Sequence, residues 1–260
     1  MPSAPPPYPK AHNLLEGKTV VITAAAGTGI GFWAARRCLE EGAQVLISDY
    51  HDRRLGEAAE QLAKETGVKP ATHICDVTDD AQVRALQAGA VEALGHVDVL
   101  INNAGLGGNA KVVEMTDDQW HRVMDVTLHS VFRMTRAFLP HMLERRSGAI
   151  VNNASVLGWR AQELQSHYAA AKAGVMAFTR CSAIEAAEGG VRINAVAPSI
   201  AVHEFLSKVT PDGLIEELVA KEAFGRAAEP WEIANVMVFL ASDYSSYMTG
   251  EVVSVSSQRA

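Results

Sequence analysis

Short apolar segments alternate along the chain with longer segments of helical periodicity. From residue 18 onwards, runs rich in Val, Ile and Leu are each followed by a stretch in which apolar residues recur every three or four positions. The run at 97–101 (VDVLI) is almost continuously apolar, which is typical of a strand that is buried on both faces. The pattern predicts an α/β fold, in which one parallel sheet carries helices on both faces.

The alternation predicts seven strands and six main helices. The strands are expected at 18–23, 43–49, 71–75, 97–102, 149–155, 191–196 and 252–255. The helices are expected at 30–41, 52–66, 79–94, 117–145, 166–187 and 230–241. No linker-like change in composition divides residues 14–260, so we expect a single domain there. Residues 1–13 contain five prolines and are expected to form a poorly ordered tail.

Composition narrows the range of partners. A net charge of −7 without a broad basic face argues against nucleic acid as a ligand. No apolar run approaches the roughly 18 residues that are needed to cross a bilayer, so membrane insertion is not expected. The three cysteines form no CxxC motif, which indicates neither a disulfide framework nor a zinc site. We therefore expect a soluble cytoplasmic protein with a small-molecule ligand and no metal.

A glycine-rich turn follows the first predicted strand. Residues 23–31 (TAAAGTGIG) lead directly from that strand into a helix. Glycines allow the backbone to approach a pyrophosphate closely, and the helix N-terminus presents free amide groups to it. A plain tight turn is the alternative. The position between strand and helix favours a dinucleotide site.

Acidic and amide side chains end the next three strands. Asp49 lies eighteen residues beyond Gly31, where an acid accepts hydrogen bonds from the adenosine ribose and repels a 2′-phosphate. With Tyr50 after it, NAD is favoured over NADP, although Arg53 or Arg54 can alter this preference. Asp76 and the sequence Asn102-Asn103-Ala104-Gly105 follow strands three and four, where ligands bind in open α/β sheets. Each of these residues can alternatively serve only as a turn or loop cap.

Ser155, Tyr168 and Lys172 form the candidate catalytic set. Tyr168 and Lys172 are four residues apart on a predicted helix, so they share one face. A nearby ammonium lowers the pKa of a phenol from about 10, and Tyr168 can then exchange a proton with a substrate hydroxyl. Ser155 ends strand five and can hydrogen-bond the substrate oxygen.

With these motifs in place, the sequence resembles the classical short-chain dehydrogenase/reductase family, including 3-oxoacyl carrier protein reductases, over residues 14–256. The matching motifs are the glycine turn, Asp76, Asn102–Gly105, Ser155, Tyr168–Lys172 and Asn194–Pro198. The resemblance implies a Rossmann-type, doubly wound sheet, and it places Lys172 on the nicotinamide ribose and residues 193–198 beside the nicotinamide. It also implies a homotetramer or homodimer built on the helices at 117–145 and 166–187. Together, motifs and resemblance give these cofactor contacts: Thr23, Ala25, Gly27, Thr28, Gly29, Ile30, Asp49, Tyr50, Asp76, Val77, Asn103, Ala104, Gly105, Tyr168, Lys172, Pro198, Ser199 and Ile200.

Three features of the sequence depart from the family pattern. Ala24 and Ala25 replace the usual first glycine of the turn, and one extra residue separates Thr23 from Gly29. Thr127 stands where an asparagine commonly completes a catalytic tetrad, which puts the proton relay behind the lysine in doubt. Pro198-Ser199 and His203 replace the proline-glycine step and the threonine that often meet the carboxamide.

The substrate is expected to lie between the loops that follow strands five and six. The candidates are Trp159, Arg160, Gln162, His203, Phe205 and Leu206, with a lid near 199–228. The strings at 23–29, 155–160 and 254–258 resemble an actinobacterial subgroup associated with sterol breakdown, which implies oxidation of a ring hydroxyl on a coenzyme A thioester. A linear 3-oxoacyl thioester is the alternative substrate. A non-catalytic nicotinamide-sensing scaffold is the alternative function.

Overall fold

One seven-stranded parallel sheet organises the chain. The computed structural model describes residues 4–202 and 213–258. The strands are β1 (Thr19–Thr23), β2 (Gln44–Asp49), β3 (Ala71–Ile74), β4 (Val99–Asn102), β5 (Gly148–Asn153), β6 (Val191–Pro198) and β7 (Val252–Val255). They lie in the order β3-β2-β1-β4-β5-β6-β7, and every neighbouring pair is parallel. The predicted fold class is confirmed.

Helices cover both faces of this sheet. They are α1 (Ile30–Glu40), α2 (Asp52–Thr66), α3 (Asp80–Leu94), α4 (Asp117–Met124), α5 (Ser130–Arg145), α6 (Ser166–Ala187), α7 (Leu214–Ala220) and α8 (Pro230–Ala241). Successive strand residues point to opposite faces: Val20 and Ile22 pack in the same core as α1, α2 and α8, whereas Val21 packs in the core formed with α3, α5 and α6. No helix among the described residues is long and apolar enough to span a membrane.

The helix predicted over 117–145 is interrupted. A π-helical turn at Asp125–His129 separates α4 from α5. A π-turn adds a residue to the helical repeat, so the side chains of α4 and α5 point in directions that differ from those of one continuous helix. Thr127 lies in this turn and is fully buried.

The direction of strand addition reverses between β1 and β4. The chain first builds outward through β2 and β3, and then returns to place β4 on the other side of β1. The carboxyl ends of β1 and β4 therefore border the crevice where doubly wound sheets bind ligands.

The N-terminal segment differs from the expected tail. The Tyr8 ring lies 5.9 Å from that of Trp33 on α1 and 5.4 Å from that of Trp231 on α8. Its hydroxyl donates a hydrogen bond of 2.6 Å to Glu40, and the amides of His12 and Leu14 donate to the buried Glu41 carboxylate. Residues 8–14 are therefore docked on α1, because a ring between two tryptophans and a buried carboxylate together fix the segment.

Candidate active site

The glycine turn connects β1 to the start of α1. Ala24 adopts a left-handed backbone conformation with φ of 51°, at the position where glycine is expected. Gly27 has φ of 117°, and nothing lies within 4 Å of where its Cβ would be. Since Gly29 is the N-cap of α1 and contributes no capping side chain, the first amides of the helix remain available to an anion. The turn therefore fits the pyrophosphate of a dinucleotide.

Asn103, at the end of β4, fixes this turn. Its side-chain amide donates to the carbonyls of Thr23 and Ala24, at 3.2 and 3.1 Å. The Thr23 hydroxyl in return accepts from the amides of Asn103 and Ala104, at 3.0 and 3.2 Å. A Cβ at Gly31 would lie 2.4 Å from the Ala24 carbonyl oxygen, so only glycine permits this close approach of helix and turn.

Asp49 lies at the end of β2 beside the same turn. Its carboxylate accepts hydrogen bonds from the amides of Ala26 and His51, at 3.3 and 3.1 Å. Burial raises the pKa of Asp49, while the Ala26 amide and the charge of Arg54 act in the opposite direction. Tyr50 is 62% exposed, and its ring stacks on that of His51.

Asp76 and Val77 follow β3. The Asp76 carboxylate accepts from the amide and hydroxyl of Thr78, at 2.9 and 2.7 Å, and Val77 packs in the core. Asp76 therefore caps its own loop. Its expected contact with the cofactor stays a prediction.

Ser155, Tyr168 and Lys172 come together at the carboxyl end of β5. Ser155 lies two residues beyond the end of β5 in an extended conformation, and its hydroxyl accepts a hydrogen bond from the amide of Leu157 at 3.2 Å. The Ser155 side chain lies close enough to the Tyr168 hydroxyl to lower the pKa of that phenol. The Lys172 Nζ lies 5.5 Å from the centroid of the Tyr168 ring and donates to the Asn153 carbonyl at 2.5 Å.

The pKa of the Tyr168 phenol is shifted in the direction opposite to the one expected from sequence. Burial raises the pKa of Tyr168 to about 12, and the neighbouring Ser155 side chain lowers it only in part. Burial also lowers the pKa of Lys172, which is 2% exposed, to about 7. The Lys172 ammonium donates to a backbone carbonyl and makes no contribution to the shift of the Tyr168 pKa, so the expected lowering of that pKa by Lys172 is not found and desolvation determines the shift.

Thr127 fastens the loop that follows β4. Its hydroxyl accepts from the amide of Leu106 and donates to the carbonyl of the same residue, both at 3.0 Å. Its methyl group lies 4.0 Å from where a Cβ would be on Gly105, and the Lys172 ammonium lies 3.3 Å from that same point. The donor of the hydroxyl and one of its two acceptor sites are thus used by backbone next to Lys172.

A buried amide network beneath the site escaped the sequence analysis. Asn102 donates to Asn152, and Asn152 donates to the Thr179 hydroxyl, each at 2.9 Å. Asn153 donates to the side-chain oxygen of Asn103 at 2.9 Å. The network links β4, β5 and α6. It therefore fixes the ends of the two strands near Asn103 and near Asn153, whose carbonyl accepts the hydrogen bond from Lys172. The only signal in the sequence is the pair of asparagines that ends each of the two strands.

The substrate candidates are distributed around the loop after β5. Trp159 is half exposed, and Arg160 is hydrogen-bonded to the side chain of Gln258. Gln162 lines a cavity of about 430 Å³ together with Lys111, Leu164 and Ser166. His203, Phe205 and Leu206 lie outside the described residues.

The segment after β6 also takes part in this edge of the sheet. Pro198 ends β6, the Ser199 amide donates to the Val255 carbonyl at 3.2 Å, and the Ile200 carbonyl accepts from Ala228. In the described part of the chain, no cluster of His, Cys, Asp and Glu has the geometry of a metal site.

Comparisons with known proteins agree with this architecture. Residues 24–257 match the family model described as enoyl-(acyl carrier protein) reductase. The chain is 64% identical over 249 residues, 95% of each protein, to the (5R,7aS)-5-hydroxy-7a-methyl-1-oxo-2,3,5,6,7,7a-hexahydro-1H-indene-carboxyl-CoA reductase of Mycobacterium tuberculosis. It is 37% identical to the 3-oxoacyl-[acyl-carrier-protein] reductase of Thermotoga maritima, over 93% of this chain and 97% of that protein. A short chain dehydrogenase from Mycobacterium smegmatis has a crystal structure that superposes with a TM-score of 0.87, at 61% identity and 98% coverage of both chains. The chain therefore belongs to the short-chain dehydrogenase/reductase family of NAD(P)-dependent oxidoreductases.

Proposed function

We propose that the protein interconverts a ring hydroxyl and a ketone on a bicyclic, sterol-derived coenzyme A thioester. The observation that carries the redox chemistry is the convergence of Ser155, Tyr168 and Lys172 at the sheet edge that also carries the glycine turn. The 64% identity to the hexahydroindene-carboxyl-CoA reductase supports the substrate class.

Each member of the set has a distinct task. The Tyr168 hydroxyl returns a proton to the substrate oxygen during reduction and accepts it during oxidation. Ser155, whose side chain lies beside the Tyr168 hydroxyl, holds the same substrate oxygen and stabilises its developing negative charge. Lys172, whose ammonium donates to the Asn153 carbonyl, binds the nicotinamide ribose. NAD(P), when bound, supplies or accepts the hydride.

The position of Asp49 beside the glycine turn favours NAD over NADP as the cofactor. The buried Asp49 carboxylate lies beside the glycine turn through its hydrogen bond to Ala26, and a carboxylate there repels a 2′-phosphate. Direct titration of both cofactors, with wild type and Asp49→Ala, tests this preference. We expect tighter NAD binding in the wild type and a smaller preference in the variant. Equal wild-type affinities would contradict the assignment.

A linear 3-oxoacyl thioester is the second candidate substrate, because of the relationship to the Thermotoga reductase. The deciding experiment measures NAD(P) reduction with the 5-hydroxy-hexahydroindenone carboxyl-CoA thioester and with a linear 3-hydroxyacyl-CoA. We expect a higher kcat/KM for the bicyclic thioester. A preference for the linear substrate would replace the proposed one.

A non-catalytic nicotinamide-sensing scaffold is the alternative from another class. It predicts cofactor-dependent assembly without turnover of any alcohol, ketone or acyl thioester. The proximity of Ser155 to the Tyr168 hydroxyl and the buried Lys172 beside the Tyr168 ring favour the enzyme, because a scaffold does not require this arrangement.

We further propose a cytoplasmic homotetramer or homodimer. Assembly through α4, α5 and α6 is supported by large apolar side chains that these helices leave exposed, among them Phe132 and Ile184. All three cysteines are free thiols, which suits a reducing compartment.

A further inference from the structure

We propose that Arg160 binds a phosphate of the coenzyme A moiety, and that the C-terminal segment, residues 256–258, positions it through Gln258. The assignment deepens the proposed function and rests on it. It names a charged contact for the part of the substrate that lies away from the reacting ring.

The C-terminal segment lies at the same sheet edge as the catalytic set. It follows β7, whose Val255 carbonyl accepts from the Ser199 amide at the end of β6. Arg160 approaches from the loop after β5, five residues beyond Ser155, where its amide donates to the Val156 carbonyl at 2.9 Å. The guanidinium of Arg160 donates to the side-chain oxygen of Gln258.

A buried carboxylate anchors the C-terminal segment. Glu222 is 4% exposed, and its carboxylate accepts from the amide and hydroxyl of Ser257, at 3.1 and 2.8 Å. The amide of Ala223 donates to the Ser257 carbonyl. Glu222 and Ala223 lie two and three residues beyond the end of α7, so the anchored segment joins Arg160 to the part of the chain where we expect the lid.

The charge of Arg160 is not neutralised within the described part of the chain. The other partly buried arginines with side-chain partners bind carboxylates or several backbone carbonyls: Arg36, Arg37, Arg133, Arg145, Arg192 and Arg226. Arg160 instead binds the neutral amide of Gln258, which orients the guanidinium but leaves its charge and most of its five N–H donors for a ligand. A guanidinium binds phosphate through paired, charge-assisted hydrogen bonds, and phosphate is the anionic group that coenzyme A carries.

The test compares a charged thioester with a neutral one. The bicyclic acid is prepared as its coenzyme A thioester, its dephospho-coenzyme A thioester and its N-acetylcysteamine thioester, which has no phosphate. We expect Arg160→Ala to raise KM for the coenzyme A thioester about tenfold or more while KM for the N-acetylcysteamine thioester stays unchanged. The dephospho compound separates the 3′-phosphate from the pyrophosphate. Arg84→Ala, on the exposed surface of α3, is the matched control.

Gln258→Glu distinguishes anion binding from a structural role. The carboxylate preserves the contact and adds an ion pair, so a purely structural contact would be retained or strengthened. If Arg160 binds phosphate, the new charge competes with the substrate. We then expect KM for the coenzyme A thioester to rise about three- to tenfold, with kcat and Tm nearly unchanged.

The outcomes separate this assignment from the proposed function. Suppose that the wild type turns over the coenzyme A thioester and that Arg160→Ala changes KM equally for all three thioesters. This result overturns the phosphate-binding role of Arg160 and leaves the proposed function intact. An unchanged KM in Gln258→Glu overturns the positioning role. Absence of wild-type turnover with the bicyclic thioesters overturns the proposed substrate and this assignment with it.

Discussion

Ala24, in the glycine turn, adopts a conformation that is costly for a residue with a side chain. Its φ of 51° lies in the left-handed region, which costs roughly 1–2 kcal/mol for a non-glycine residue. Glycine removes this strain but loses more entropy on folding, about 0.5–1 kcal/mol. We therefore expect Ala24→Gly to raise the free energy of unfolding by up to about 1 kcal/mol, measured by urea denaturation.

Ala26→Gly is the control for this change, because Ala26 does not have a positive φ. It should lower the free energy of unfolding by about 0.5–1 kcal/mol. Equal destabilisation by the two substitutions would show that the backbone of Ala24 is not strained.

Lys172 gives a second test at the scale of one residue. Its folded-state pKa of about 7 lies below the unfolded value of about 10.4. Between these values the unfolded chain binds the extra proton, so the free energy of unfolding gains up to about 1.4 kcal/mol per pH unit from this group. We expect the free energy of unfolding of the wild type, relative to that of Lys172→Met, to increase between pH 7 and pH 9. Lys64→Met, on an exposed position of α2, is the control.

Urea denaturation at both pH values measures the difference. Parallel pH dependence of wild type and Lys172→Met would contradict the depressed pKa. The same result would show that burial does not determine the pKa of Lys172.

At the scale of elements, Tyr8 joins the N-terminal segment to two helices. Its ring contacts Trp33 and Trp231, and its hydroxyl binds Glu40. Tyr8→Ala is expected to lower the free energy of unfolding by about 1–3 kcal/mol. Tyr8→Phe, which loses only the hydrogen bond, should cost about 1 kcal/mol.

The exposed Pro6→Ala serves as the control for Tyr8, and thermal or urea unfolding is the measurement. If Tyr8→Ala were as stable as this control, the docking of residues 8–14 would not contribute to stability.

The π-turn shows why periodicity alone could not predict the helix over 117–145. Apolar positions on both sides of it follow helical spacing, but one extra residue shifts the phase between them. Its buried Thr127 pairs with the backbone of Leu106, 21 residues away in sequence. Long-range contacts of this kind leave no local pattern.

At the scale of the whole molecule, assembly is the next expectation. Phe132 on α5 is 45% exposed and contacts Phe178 on α6. We expect the wild type to elute as a dimer or tetramer in size-exclusion chromatography with light scattering, and Phe132→Glu to reduce its mass. Val68→Glu, at another exposed apolar position, should leave the mass unchanged. A monomeric wild type would contradict the proposed assembly.

The seven strands of the parallel sheet and the shared helix face of Tyr168 and Lys172 could be predicted from sequence, because buried parallel strands and helical spacing have strong local patterns. The docking of Tyr8, the network through Asn152 and the contact between Arg160 and Gln258 could not. Each of these depends on side chains that are far apart in sequence. The pKa of Tyr168 was also missed, because burial and the direction of the ammonium are properties of the folded site.

The most direct test of the central claim is the turnover of the bicyclic coenzyme A thioester by wild type and Tyr168→Phe, with NAD(P) reduction as the readout. Because Tyr168 is assigned the proton transfer, its loss should lower kcat by about 100-fold or more. Cofactor affinity, measured separately by titration, should be largely retained. Near-full turnover by Tyr168→Phe would contradict the account.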